Sequence, residues 1–223
     1  MILESGFGGT SEAWTNVQPE IAKFTRVISY DRAGLGKSEP GESPRTAKRV
    51  AEELHAALKS AGVKPPYVLV GHSAGAAYVR VFASLYPREI AGIVLVDPPQ
   101  EELLDWIRAH FPHADQLPPE RLAKMPAGIR AEWDARDAQI DEMRNAKLPF
   151  VPTILISSAK NDQSLAQQIS PEALNVLTES RHKWLERTTG SRQIVAQKAG
   201  HNIPMEEPEL IVDAIRQVIR KKG

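Results

Sequence analysis

The chain has 223 residues, with 28 Lys+Arg against 28 Asp+Glu and no cysteine. That length suits one substantial α/β domain or a domain with an insertion, and the balanced charge argues against nucleic acid or an anionic membrane surface as a partner. The lack of cysteine excludes disulfides, thiolate metal sites and a cysteine nucleophile; no apolar run approaches a membrane helix and no signal-peptide pattern opens the chain, so a cytoplasmic location is expected.

The first apolar run predicted as a buried strand is Val27 to Tyr30. A helix follows, with Ser43 as its cap and Pro44 in its first turn. Val50, Leu54, Leu58 and Ala61 share one face of it before Gly62 ends it. Tyr67 to Val70 is the second strand, set after Pro65-Pro66, and Ala74 to Leu85 reads as helix until Pro87 stops it. Between them lies Gly71-His72-Ser73-Ala74-Gly75, a G-x-S-x-G pattern at a strand-to-helix turn. Such a turn is so tight that residues flanking the serine nearly collide, and glycine removes the offending Cβ atoms. Ile93 to Val96 and Thr153 to Ile156 are further strands, and Gln193 to Gln197 is a weaker fifth. Between Pro98 and Pro149 the alternation stops: Leu103, Leu104, Trp106 and Ile107, then Ile129, Trp133, Ile140 and Met143, recur at helical spacing. A last helix from about Pro208 buries Leu210, Ile211, Ala214, Ile215, Val218 and Ile219. The basic residues Arg216, Arg220, Lys221 and Lys222 complement its dipole. Alternating strands and helices imply a parallel sheet covered on both faces.

Four landmarks, in chain order, resemble those of the α/β-hydrolase fold family. Glu4-Ser5-Gly6-Phe7-Gly8-Gly9 is similar to the family's oxyanion loop, and Tyr30 to Ser38 to its D-R-x-G-x-G-x-S turn. The Gly71–Gly75 elbow and the Gly200-His201 pair before the final helix complete the set. The resemblance implies a mostly parallel central sheet flanked by helices, with residues 1–98 and 150–223 as the core domain and 99–149 as a small helical cap. Two departures stand out. Ser5 occupies a position where the family usually has histidine, which should alter loop support more than chemistry because the oxyanion site is built from backbone. The chain also opens at Met1-Ile2-Leu3, so the family's first strands are expected to be lacking, leaving a weakened sheet with an exposed edge that favours self-association into a homo-oligomer.

A serine hydroxyl needs a base to remove its proton during attack. His201, in the loop before the last helix, is the candidate base for Ser73, whereas His72 is expected to point away and support the turn. His110 and His113 read better as solvated or substrate-lining groups than as metal ligands, and His55 and His182 as helix-surface positions. In this family the acid lies between serine and histidine in the chain, and two aspartates qualify: Asp162, after the strand Thr153 to Ile156, and Asp97, directly after Ile93 to Val96. The choice between them stays open in the sequence. The amide of Ala74 is one expected oxyanion donor and that of Phe7 the second, with Gly8 as the alternative. Gly8, Trp106 and Trp133 are the expected substrate-pocket residues, with Phe111 and Met143 as further apolar candidates.

The resemblance implies a hydrolase of small carboxylic esters or lactones working through an acyl-enzyme, with no metal and no organic cofactor. A serine at 73 argues against the family's epoxide hydrolases and dehalogenases, which use aspartate there. Amidase, carbon–carbon hydrolase and perhydrolase chemistry on the same three groups, or a non-catalytic ligand receptor, are the alternatives.

Overall fold

Six strands, all parallel, form one sheet in a computed structural model that describes residues 1–113, 116–186 and 191–220. In chain order the first elements are β1 (Ile2–Glu4), α1 (Gln18–Ala22), β2 (Ile28–Ser29), α2 (Ala47–Ser60), β3 (Tyr67–His72), α3 (Ala74–Leu85) and β4 (Ile90–Val96). Four helices follow before the next strand: α4 (Glu101–His110), α5 (Pro119–Ala123), α6 (Ala127–Asp134) and α7 (Arg136–Asn145). The chain then forms β5 (Thr153–Ser158), α8 (Ala159–Gln168), α9 (Pro171–Glu186), β6 (Arg192–Ala196), α10 (Ile203–Glu206) and α11 (Pro208–Arg220). The strand order is β2-β1-β3-β4-β5-β6, so the three-residue β1 is internal and the edges are β2 and β6. Lys221 and Lys222 of the basic tail lie outside the described residues.

Period-two alternation along the strands splits the core between the two faces of the sheet. Ile2, Leu69, Ile93, Leu95 and Leu155 join Val50, Leu54 and Leu58 of α2 and Tyr78, Phe82 and Ala83 of α3. Leu3, Val70, Val94, Val96, Ile154 and Ile156 join Ile21 of α1, Ile203 of α10 and Ile211, Ile215 and Val218 of α11. Strands buried on both faces must be apolar at every position, which is why they appear in the sequence as unbroken apolar runs.

Two local expectations need correction. The helix expected to start at Ser43 starts at Ala47, because Thr46 takes extended backbone and its hydroxyl accepts the Arg49 amide at 3.2 Å. The stretch after β5, read as a loop carrying Asp162, is helical: the Ser158 hydroxyl accepts the Asn161 amide at 2.9 Å and caps α8, placing Asp162 in its first turn. Among the described residues no helix is long and apolar enough to cross a membrane.

Candidate active site

Ser73 sits between β3 and α3 at φ 52°, ψ −127°, a conformation that a side chain adopts only under constraint from its surroundings. The constraint is visible at its neighbours. A Cβ on Gly71 would lie 2.5 Å from the Gly75 carbonyl oxygen, and one on Gly75 would lie 2.4 Å from that of Glu4. Glycine at both positions lets the turn close and lets β1 run against it. The Ser73 amide donates to the Val96 carbonyl at 2.9 Å, anchoring the turn to the end of β4.

The sheet register brings the partners in. His72 pairs with Val96 and Val96 with Ile156, so Ser73 and Asp97 emerge side by side from the carboxyl ends of adjacent strands. Asp97 turns at φ 43°, and its amide donates to the Ile156 carbonyl at 2.7 Å. His201 arrives on the loop after β6. Glu207 holds that loop by accepting the Lys198 and Ala199 amides at 2.8 and 2.6 Å, and Glu206 accepts the Gly200 amide at 3.0 Å. The Ser158 hydroxyl donates to the Ala199 carbonyl at 2.7 Å.

His201 Nε2 thereby lies 2.9 Å from Ser73 Oγ and Nδ1 lies 2.7 Å from Asp97 Oδ2. The carboxylate can only accept, so Nδ1 carries the proton and Nε2 is free to accept the serine proton. The imidazole is half exposed while the Asp97 side chain is 4% exposed, so a buried carboxylate holds one ring nitrogen and the other side of the ring stays open to solvent. His72 supports the loop from below: its Nε2–H donates to the His201 carbonyl at 2.8 Å. Burial pushes the His72 imidazole down to about 4, which keeps it neutral near pH 7.

Of the two aspartates the structure brings only Asp97 to His201. Asp162 instead faces Arg181 of α9, which donates Nη1 to Oδ2 at 2.6 Å and Nη2 to Oδ1 at 2.9 Å. The cap on α8 turns the Asp162 carboxylate along the helix toward α9, and the adjacent Asn161 points at the site in its place. Asn161 Nδ2 donates to Asp97 Oδ2 at 2.9 Å, and the Ser158 amide to Oδ1 at 3.2 Å. Neither residue stood out in the sequence. The signal was a Ser-x-x-Asn helix start directly after a strand.

The loop expected to face the oxyanion passes beside Ser73: a Cβ on Gly6 would lie 3.2 Å from Ser73 Cβ. Arg32, buried to 2% exposure, runs beneath this loop, paired with Glu4 at 2.7 Å and with Glu132 of α6 at 2.6 Å. Burial alone would lower the Arg32 guanidinium, but the charges of Glu4 and Glu132 outweigh it and hold it well above its ordinary value. Burial also pushes the Glu4 carboxyl up, against the lowering pull of Arg32 and of the Tyr30 hydroxyl that donates to it. Asp31 of the same turn accepts the Ser11 and Lys37 amides at 2.7 and 2.9 Å. Gly36, at φ 52°, is required there because a Cβ would lie 2.2 Å from Asp31 Oδ2.

The Gly8 amide is already engaged by Glu132 Oε2 at 3.0 Å, whereas the amides of Phe7 and Ala74 meet no acceptor among the described residues. A cavity of about 340 Å³ opens at Ser73 and His201. Its apolar lining is Pro98, Leu103, Leu104, Leu165, Ile169 and Leu177, and its polar lining includes Gln100, Asn161, Asp162, Ser164, Gln168 and Arg181. The residues expected to line the pocket lie elsewhere. Trp106 stacks on His110 with ring centroids 4.2 Å apart, and Trp133 meets Phe7 edge-on at 6.0 Å and carries Arg136 over its face. Gly8 packs against Ile129 of α6. Helix α4 turns Leu103 and Leu104 to the cavity instead of Trp106. His110 uses Nδ1–H on the Trp106 carbonyl at 2.8 Å, and no metal-holding cluster of His, Cys, Asp or Glu occurs among the described residues.

The comparisons with known proteins agree with this architecture. A family model described as alpha/beta hydrolase fold matches residues 1–141. An uncharacterized protein of Bacillus subtilis (strain 168), YqjL, is 31% identical over 218 residues, covering 98% of this chain and 82% of its own. Among solved structures, the epoxide hydrolase CorEH superposes with a TM-score of 0.72 at 17% identity, covering 100% of this chain and 91% of that one. A thermophilic esterase from Thermogutta terrifontis gives a TM-score of 0.62 at 21% identity, covering 99% and 89%. Half or more of the sequence thus fits one family model, and this chain belongs to the alpha/beta-hydrolase fold family.

Proposed function

We propose that the protein is a serine hydrolase of small carboxylic esters or lactones, with Ser73 as nucleophile, His201 as general base and Asp97 as the orienting acid. The observation that carries this reading is the unbroken relay from Ser73 Oγ to His201 Nε2 at 2.9 Å and from Nδ1 to Asp97 at 2.7 Å, on a strained turn at an open cavity. Ser73 Oγ attacks the ester carbonyl as His201 takes its proton. The imidazolium that forms is stabilised by Asp97 and returns the proton to the leaving alcohol. The developing oxyanion is met by the Ala74 amide, at the N-terminus of α3 where the helix dipole favours negative charge, and by the Phe7 amide. Water, activated by the same histidine, then releases the acid from Ser73.

The leucine and isoleucine walls of the cavity suit an apolar group on the substrate, and Gln100, Asn161, Ser164, Gln168 and Arg181 in the same lining can hydrogen-bond a polar one. A panel of p-nitrophenyl esters from acetate to palmitate tests this. Turnover is expected to rise from acetate to a short or medium chain and to fall for the longest, whose volume exceeds a cavity of about 340 Å³. Absence of turnover for every ester and lactone tried, in folded protein, would sink the reading.

A further inference from the structure

We propose that Glu132, on the helix α6 inserted between β4 and β5, is a positioning residue for the oxyanion site: it fixes the glycine-rich loop so that the Phe7 amide, and not the Gly8 amide, is left to face the substrate. The inference rests on the serine-hydrolase reading above.

Ser5 to Gly9 holds three glycines, one of them at φ 62°, and has few side chains with which to fix its own conformation. Its order comes from beneath and from α6. The Glu132 side chain is 1% exposed, so both its oxygens work away from water. Oε2 accepts the Gly8 amide at 3.0 Å and Arg32 Nη2 at 3.1 Å, while Oε1 accepts Arg32 Nε at 2.6 Å. Arg32 turns two further donors on the same loop, Nη2 to the Gly6 carbonyl at 2.7 Å and Nη1 to the Ser5 carbonyl at 2.8 Å, and gives its last, also on Nη1, to Glu4 Oε1 at 2.7 Å. The Gly9 amide closes on the Gly6 carbonyl at 3.0 Å.

Peptide geometry supplies the consequence. The Gly6–Phe7 peptide is trans, so its C=O and N–H point in opposite directions. Holding the Gly6 carbonyl toward Arg32 turns the Phe7 N–H to the opposite side of the loop. With its own amide bonded to Glu132, Gly8 is no longer a competing donor. Ile129, one turn before Glu132 on α6, packs within 3.2–3.3 Å of where a Gly8 Cβ would be, so the helix holds the loop by a hydrogen bond and by contact. A carboxylate reaching in from the inserted helices therefore couples their placement to the one amide that the elbow itself cannot supply.

The test uses the 223-residue protein and its Glu132→Gln and Glu132→Ala variants. Glutamine keeps an acceptor for the Gly8 amide but sets an amide nitrogen against Arg32; alanine removes both functions. Glu132→Gln is expected to lower kcat on the best p-nitrophenyl ester by about 10- to 100-fold, with KM within about twofold, and Glu132→Ala to lower it further. The inhibition constant of phenylboronic acid, whose anionic tetrahedral adduct needs the same amide, should rise by the same factor as kcat falls. In the wild type the Gly8 amide should exchange slowly with deuterium, a measurement that requires no variant to fold. A fast-exchanging Gly8 amide, or a folded Glu132→Gln protein with unchanged kcat and boronate affinity, overturns the role. So does a raised KM at constant kcat, which marks a wall residue. An active wild type with an indifferent variant overturns only this inference, whereas a wild type without ester turnover overturns it together with the reading beneath it.

Discussion

Asp97→Asn is expected to lower kcat on an ester by about 10⁴-fold, the scale seen when a catalytic histidine loses its orienting carboxylate, while Asp162→Asn keeps kcat within about tenfold. Among the described residues every polar partner of Asp97 is a donor: His201 Nδ1–H, Asn161 Nδ2 and the Ser158 amide, with the Arg181 guanidinium 4.0 Å from Oδ1. Asparagine cannot satisfy them. With its oxygen toward His201, its NH₂ group opposes the Ser158 N–H, and the negative charge that stabilises an imidazolium is gone. With its oxygen toward Ser158, the NH₂ group faces His201, which must then move its proton to Nε2 and can no longer accept from Ser73. Among the described residues the Asp162 carboxylate bonds to Arg181, and an asparagine oxygen still accepts from that guanidinium. The comparison is made on kcat by steady-state kinetics, with circular dichroism confirming that both variants are folded. Equal losses in the two variants would contradict the assignment of Asp97.

The second large effect is on stability. Arg32→Met should destabilise the protein by about 3–5 kcal/mol, because it strands two carboxylates, Glu4 and Glu132, whose side chains are each 1% exposed. It also removes the donors held by the Ser5 and Gly6 carbonyls. For a chain of this length that corresponds to a fall in Tm of about 10 °C. Lys23→Ala is the contrast: its pair with Glu20 is short, at 2.6 Å, but both side chains are largely exposed, and its loss should cost under about 0.5 kcal/mol. Urea unfolding of the two variants decides the matter, and a loss below 1 kcal/mol for Arg32→Met would show that the buried cluster relaxes or admits water.

What the sequence revealed, and what it hid, follows from how local each constraint is. The elbow was legible because its geometry rules out a Cβ at Gly71 and Gly75, so the constraint is written as residue identity within five positions. The buried strands were legible because burial on both faces forces apolar runs. His201 was legible from its place between the last strand and the last helix. Asp97 and Asp162 could not be separated, since each follows a strand of the same sheet; the difference lies in a helix cap at Ser158 that redirects one of them to Arg181. Helices α8 and α9 escaped notice because Asp162, Ser164 and Gln168 look like loop residues until Leu165, Ile169 and Leu177 are seen to line one cavity. Glu132 was invisible for a different reason. A glutamate between Ala131 and Trp133 reads as a solvated helix position, and only the fold brings it 100 residues back to Arg32.

The central claim is that Ser73 is an activated nucleophile. Its most direct test is intact-mass analysis after brief exposure to a fluorophosphonate, followed by mapping of the modified peptide. One adduct per chain is predicted, located on Ser73, absent from Ser73→Ala and formed far more slowly in His201→Ala. A folded wild-type protein that takes up no label, or takes it up on a residue other than Ser73, would contradict the account.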